Sequence, residues 1–151
     1  KGWEKDPPAY VHSRILFSSG PALTPEFAKK HNITHVINCA FDTDSPSWFS
    51  SSFPFNYKCL NAVDNPTANI LDWYNTFEQT MHEFLRSDGA KNVYVHCQCG
   101  INRSGFLVLA FACRRLNMGF NQAIETILSQ RPCALTNPAY LQQVYRFSEQ
   151  K

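Results

Sequence analysis

Residues 103–116 read RSGFLVLAFACRRL, a run whose interior presents no polar face. A helix that is apolar all round must be covered on every side, so it has to lie inside a layered core. Gly119 is placed to end it. The chain can supply the cover: 151 residues, 44% apolar and 14% aromatic, are material for one sizeable core, and a single domain over residues 1–151 is expected.

The covering layers can be read from periodicity. After the extended lead-in KDPPAY, Arg14 to Ser18 alternates as an edge strand would, and LTPEFAKKHN offers Thr24 as N-cap with Pro25 at the first helical position, giving a helix to about Asn32. THVINCA is a buried strand, FDTDSPSWFSSSF a loop with one helical turn around Trp48, and FNYKCLNA a second core strand. Ile70, Trp73, Tyr74, Phe77, Met81, Phe84 and Leu85 recur at steps of three and four, which predicts a helix capped by Asn69 and ended by Gly89. KNVYVHC is a central strand. Two further helices follow, NQAIETILSQ stopped by Pro132 and NPAYLQQVYRF capped by Asn137. Strands alternating with helices early and helices alone late predict an α/β fold, a mostly parallel central sheet flanked by helices.

Net charge is +2, from 14 basic and 12 acidic residues, which provides no global field for nucleic acid or an anionic membrane surface. No apolar run approaches the length of a membrane span, so a soluble protein with no membrane partner is expected. Of the six cysteines, Cys39, Cys59, Cys97 and Cys113 lie in or beside apolar runs. A chain of this size needs no disulfide staples, so a reducing compartment, cytoplasm or nucleus, is the expectation.

The chemistry concentrates in VHCQCGINRSG, residues 95–105. A strand ending at His96, a loop holding Gly100 and a helix beginning near Arg103 bring backbone N–H groups and a positive helix end to one point, a cradle for a phosphate-sized anion. Five residues separate Cys97 from Arg103, so a tight loop can fold the planar guanidinium over the cysteine and present paired donors to two phosphoryl oxygens. The same environment favours a thiolate, which makes Cys97 a nucleophile aimed at the phosphorus its own loop holds. Zinc ligation by His96, Cys97, Cys99 and Cys113 is the competing reading, but there is no paired Cys-x-x-Cys knuckle and Cys113 falls on the buried helix. Burial of Cys97 as a small hydrophobe leaves Gly100 and Arg103 unexplained.

HCQCGINRSG resembles the signature His-Cys-x-x-Gly-x-x-Arg-Ser/Thr-Gly of the cysteine-dependent protein tyrosine phosphatases, and the short chain resembles their dual-specificity (VH1-like) branch. ITHVINCA, NAVDNP, the helix from Ile70 and RPCALTNPAYLQQVYRF match that branch in order, so the likeness spans nearly the whole chain. It implies hydrolysis of phosphotyrosine and phosphoserine or phosphothreonine in proteins through a phosphocysteine, with no metal and no cofactor. It also implies roles: Cys97 as nucleophile, Arg103 as phosphate clamp, Asp64 as general acid, Ser104 as the hydroxyl that assists the leaving thiolate, and His96 as a loop-ordering group. Gln98, Cys99, Gly100, Ile101 and Asn102 would supply backbone donors to the phosphate. Asp72 and Asp88 compete with Asp64, but Asp72 falls in a helix's first turn and Asp88 in the turn before Gly89.

Asn102 departs from the small residue common in this branch. The Asn-Arg-Ser-Gly-Phe version resembles RNA 5′-triphosphatases of the same superfamily, which makes an RNA 5′ end the alternative substrate. Against it stand an acid at Asp64, which capping-type domains generally lack, and the absence of basic tracts beyond Lys29-Lys30 and Arg114-Arg115. Phosphoinositide phosphatases tend to add Lys inside the cradle, and none lies between Cys97 and Arg103. A phosphate-binding module without catalysis would retain Arg103 but not Cys97 together with Asp64. Cys99 or Cys39 could trap an oxidised Cys97 as a disulfide, although both also read as ordinary small loop or core residues.

Overall fold

A computed structural model describes residues 2–150. In chain order these form α1 (Gly2–Lys5), β1 (Ala9–His12), β2 (Ile15–Ser19), α2 (Pro25–Lys30), β3 (Ile33–Asn38), α3 (Ser47–Ser52), β4 (Tyr57–Cys59), α4 (Tyr74–Leu85), β5 (Asn92–Cys97), α5 (Arg103–Arg115), α6 (Phe120–Gln130) and α7 (Pro138–Glu149). The five strands make one sheet in the order β1-β2-β5-β3-β4. β2, β5, β3 and β4 run parallel and β1 alone is antiparallel, paired to β2. The expected mostly parallel sheet flanked by helices is therefore present.

Parallel strands are buried on both faces, and side chains alternate between the two. Phe17, Ile37, Val93 and Val95 face the larger core, where α5 lies among Ile70, Phe77, Met81, Ala123, Tyr140 and Val144. Leu16, Val36 and Tyr94, one position out of step, face a smaller core with Leu23, Ala28 and Phe49. From Arg103 to Ala112 every residue of α5 is buried, as a helix apolar all round requires.

Several local expectations change on inspection. Residues 14–18 are not an edge strand: β2 is interior, its residues all buried, because the lead-in itself forms β1 and pairs outside it. The strand expected in FNYKCLNA is a three-residue outer strand, half exposed, joined only to β3. The helix over Ile70 starts as a 3-10 turn, Ile70–Trp73, with the Asn69 side chain accepting from the Leu71 N–H. Gly89 lies beyond its end, in the following turn, at φ 75°. Gly119 does not end α5: Asn117, at φ 58°, follows the helix in the left-handed region, and Gly119 caps α6. Asn adopts that region more readily than other residues with a side chain, so it can end a helix where Gly is the commoner choice. Thr24 and Asn137 cap α2 and α7 as expected.

This architecture places Cys97 at the carboxyl end of β5, the central strand, with Ser19 of β2 alongside it. Open parallel sheets bind ligands at that edge.

Candidate active site

Every carbonyl from Cys97 to Asn102 is turned outward onto a donor. The Gly20 N–H reaches the oxygens of Cys97 at 2.9 Å and Gln98 at 3.2 Å, the Leu135 N–H reaches Ile101 at 2.9 Å, and the Phe106 N–H reaches Asn102 at 2.8 Å. The guanidinium of Arg131 takes the remaining two, Cys99 at 2.7 Å and Gly100 at 2.8 Å. With the carbonyls so engaged, the N–H groups of residues 98–102 make no hydrogen bond among the described residues. They are free for an anion, in the arrangement that builds anion-binding nests. Gly100 stands at φ 68°, and a Cβ there would fall 2.3 Å from the Ser18 carbonyl carbon, so no other residue fits.

Four of the residues singled out in the sequence, Cys97, Ser104, Arg103 and Asp64, meet at this loop. Cys97 Sγ is 3.2 Å from Ser104 Oγ in the first turn of α5. Arg103 is buried; one terminal nitrogen donates to the Ala62 carbonyl at 3.1 Å, and its Nε is buried with no hydrogen-bond partner among the described residues. An orphaned buried donor costs on the order of 1–3 kcal/mol, and a phosphoryl oxygen would satisfy it. Asp64 lies on an exposed loop beyond β4 and is tied to the cradle, one carboxylate oxygen 3.4 Å from Asn102 Nδ2 and the other 3.4 Å from Asn137 Nδ2. Asp72 sits instead in the 3-10 turn before α4, and Asp88 in the turn after it.

Comparison with known proteins agrees with this geometry. Residues 15–150 match the family model for the dual specificity phosphatase catalytic domain. The chain belongs to that family. It is 30% identical to dual specificity protein phosphatase 1B of Arabidopsis thaliana over 89% of its length and 77% of that protein. With mouse dual specificity protein phosphatase 19 it shares 28% identity over 86% of its length, spanning 56% of the mouse protein. The crystal structure of human DUSP28 superposes with a TM-score of 0.79, at 19% identity, covering 95% of this chain and 93% of that one, which shows a common fold.

In this dual specificity phosphatase domain the other cysteines are poor competitors for Cys97. Burial, reinforced by the neighbouring Cys97, pushes the Cys39 and Cys99 thiols up, and Arg103 opposes this only in part. Cys113 lines a cavity of about 550 Å³ with Arg114, Asn117 and Phe147 toward the far end of α5. No cluster of three or more His, Cys, Asp or Glu suited to a metal occurs among the described residues, so the four residues considered for zinc are not gathered. His96 is fully buried; its Nδ1 donates to the Cys97 carbonyl at 2.9 Å and its Nε2 accepts from the Ser45 hydroxyl at 3.0 Å. The carbonyl partner places a proton on Nδ1, and burial pushes the ring's pKa down to about 4, which leaves Nε2 bare at neutral pH.

Sequence reasoning missed Arg131, the largest of the fully buried side chains. Its guanidinium donates only to carbonyls: besides the two in the loop, those of Trp3, Asp6 and Pro7. The N-terminal segment and the catalytic loop are thereby fastened to one cation. An Arg just past a helix and before a Pro was the available signal, but nothing local shows which carbonyls it will find. The Asn102 and Asn137 side chains, and Tyr140, whose hydroxyl donates to the Val63 carbonyl and receives the Asn65 N–H at 3.4 Å, were likewise missed as supports of the acid loop.

Replacing Arg131 by Met leaves the buried Gly100 carbonyl, and four part-buried ones, without this donor. Urea denaturation should show a loss of about 3 kcal/mol or more, the range for breaking a buried charged network. The His96 effect has a definite sign. Between the lowered folded pKa of about 4 and the ordinary value of 6.5, the unfolded chain binds a proton that the folded chain refuses. Stability is therefore full above about pH 6.5 and falls as pH drops toward 4, by up to about 3 kcal/mol at roughly 1.4 kcal/mol per pH unit. His31 and His35 are pushed down by burial as well, so His96→Gln should flatten part of the slope, measured by urea titration at several pH values.

Proposed function

We propose that this domain hydrolyses phosphate monoesters on tyrosine, and on serine or threonine, of protein substrates through a phosphocysteine intermediate. The single observation that carries the reading is the buried, unpartnered Nε of Arg103 beside the Cys97–Ser104 pair. A guanidinium that makes a single hydrogen bond among the described residues, beside a loop of inward amides, matches a tetrahedral phosphoryl group.

The Cys97 thiolate attacks phosphorus and the bond to the leaving oxygen breaks. Asp64 gives its proton to that oxygen, a contribution typically worth about 10² to 10⁴ in rate. Water then attacks the phosphocysteine, Asp64 takes back a proton, and the sulfur leaves as thiolate with a hydrogen bond from Ser104. Arg103 and the amides of residues 98–102 hold the phosphoryl oxygens through both steps. His96 orders the loop and handles no proton, since both its ring nitrogens are engaged elsewhere.

The alternative, an RNA 5′ end, draws support from the Asn-Arg-Ser-Gly-Phe sequence. The basic pairs speak against it. Arg114 stacks over the Phe147 ring at 4.1 Å and Arg115 pairs with Glu78 at 2.7 Å. Both lie about 17–18 Å along α5 from Arg103 by helical rise. Lys29 flanks a groove with Trp48 and Lys91. A reducing compartment, cytoplasm or nucleus, remains part of the proposal, supported by six free cysteines.

Turnover of phosphotyrosyl peptide, phosphothreonyl peptide and 5′-triphosphate RNA, measured side by side without added metal, should favour the two peptides. Cys97→Ser should abolish peptide turnover while preserving phosphate binding, and Asp64→Ala should slow it by about 10² or more for poor leaving groups. Turnover retained by Cys97→Ser would eliminate the covalent route.

A further inference from the structure

We infer that the side-chain amides of Asn102 and Asn137 are positioning residues that hold both oxygens of Asp64 against the catalytic loop before substrate arrives. This rests on the reading of Asp64 as general acid and adds what places it.

The orientation of both amides is determined by their surroundings. Asn102 Oδ1 accepts from the backbone N–H of Thr136 at 2.9 Å and of Asn137 at 2.9 Å, and from the Thr136 hydroxyl at 3.3 Å. An amide whose oxygen is held by backbone N–H groups has to present its NH₂ on the other side, and for Asn102 that side is Asp64. Asn137 Oδ1 likewise accepts from the N–H groups of Ala139 at 3.0 Å and Tyr140 at 3.2 Å, capping α7, so its Nδ2 is left for Asp64 and the Asn65 carbonyl. Each carboxylate oxygen thus meets one amide whose flip is not free. At 3.4 Å these bonds are long, so they aim the carboxyl and leave it able to turn toward a leaving oxygen.

Leu135, in the segment these amides fasten, provides a second and independent observation. It sits at φ 63°, a region that costs a branched side chain free energy and persists only where the surroundings over-determine it. Its own N–H is bound to Ile101 of the catalytic loop, and the next two N–H groups are bound to Asn102 Oδ1. The catalytic loop, the acid loop and the start of α7 therefore converge on one side chain, Asn102. Asn102 spans the gap with two different atoms, Oδ1 toward Thr136 and Asn137 and Nδ2 toward Asp64, whereas the single, shorter hydroxyl of a serine cannot reach both sides at once.

The test is a double-mutant cycle read with two substrates, phenyl phosphate as a poor leaving group and p-nitrophenyl phosphate as a good one. Asn102→Ser should lower kcat/KM for phenyl phosphate about 10-fold and for p-nitrophenyl phosphate less than about 3-fold, a fraction of the acid's own contribution. In the Asp64→Ala background the same substitution should change phenyl phosphate turnover less than about 2-fold, because the amide acts through the missing carboxyl. Asn137→Ser keeps a good helix cap while removing the second donor; it should show the same leaving-group dependence and carries the test alone if Asn102→Ser does not fold. Equal losses on both substrates, undiminished losses in the Asp64→Ala background, or no loss at all would overturn the bracket. If Asp64→Ala by itself shows no leaving-group-dependent loss, the general-acid reading fails first and the bracket with it.

Discussion

Six consecutive carbonyls, from Cys97 to Asn102, must point away from the substrate for the amides between them to point toward it. Peptide planarity leaves little choice: a loop whose oxygens are bonded outside turns its N–H groups inside. The donors that enforce this come from four places, one local, the first turn of α5 at Phe106, and three distant in sequence, Gly20 after β2, Leu135 before α7, and Arg131 beyond α6. The anion site is the inner surface of a loop braced from without. Its affinity for phosphate depends on residues that never touch phosphate.

Arg131 shows how much of that bracing is electrostatic without being an ion pair. Among the described residues its buried guanidinium donates to no carboxylate, only to carbonyl dipoles. A cation neutralised by a carboxylate would add little to the field of the site, whereas one solvated by dipoles keeps its charge close to the loop that must hold a dianion. Burial is tolerated because the planar guanidinium can satisfy several acceptors at once. The same geometry couples the first residues of the chain to the catalytic loop, so α1 and the segment after it belong to the site's support.

Much of this could be read along the chain. The helix apolar all round required a layered core, the periodicity from Ile70 located α4, and the Cys-x5-Arg loop between a strand and that helix identified an anion cradle with Cys97, Arg103 and Ser104 in place. These features depend on neighbours in sequence. Asp64 was legible as the candidate acid of the proposed mechanism because it follows a strand and matches the position that the resemblance implies. Asn102, by contrast, read as a departure bearing on substrate, and its contacts with Thr136, Asn137 and Asp64 were invisible because its partners lie more than thirty residues away in either direction.

The misreadings have the same origin. Alternation in residues 14–18 could not reveal that Ala9–His12 would pair outside them, and Gly119 and Asn117 were both acceptable ends for α5 until the start of α6 claimed the glycine. Local propensity and spacing were sufficient for the kind of fold and for the loop that joins β5 to α5, with Cys97, Arg103 and Ser104 together, since each is encoded within a few residues of itself. Which strand lies at the edge, which carbonyls Arg131 holds and how the acid carboxyl is aimed depended on long-range packing: a hydrogen bond needs its two ends within about 3 Å, and only the folded chain brings them there.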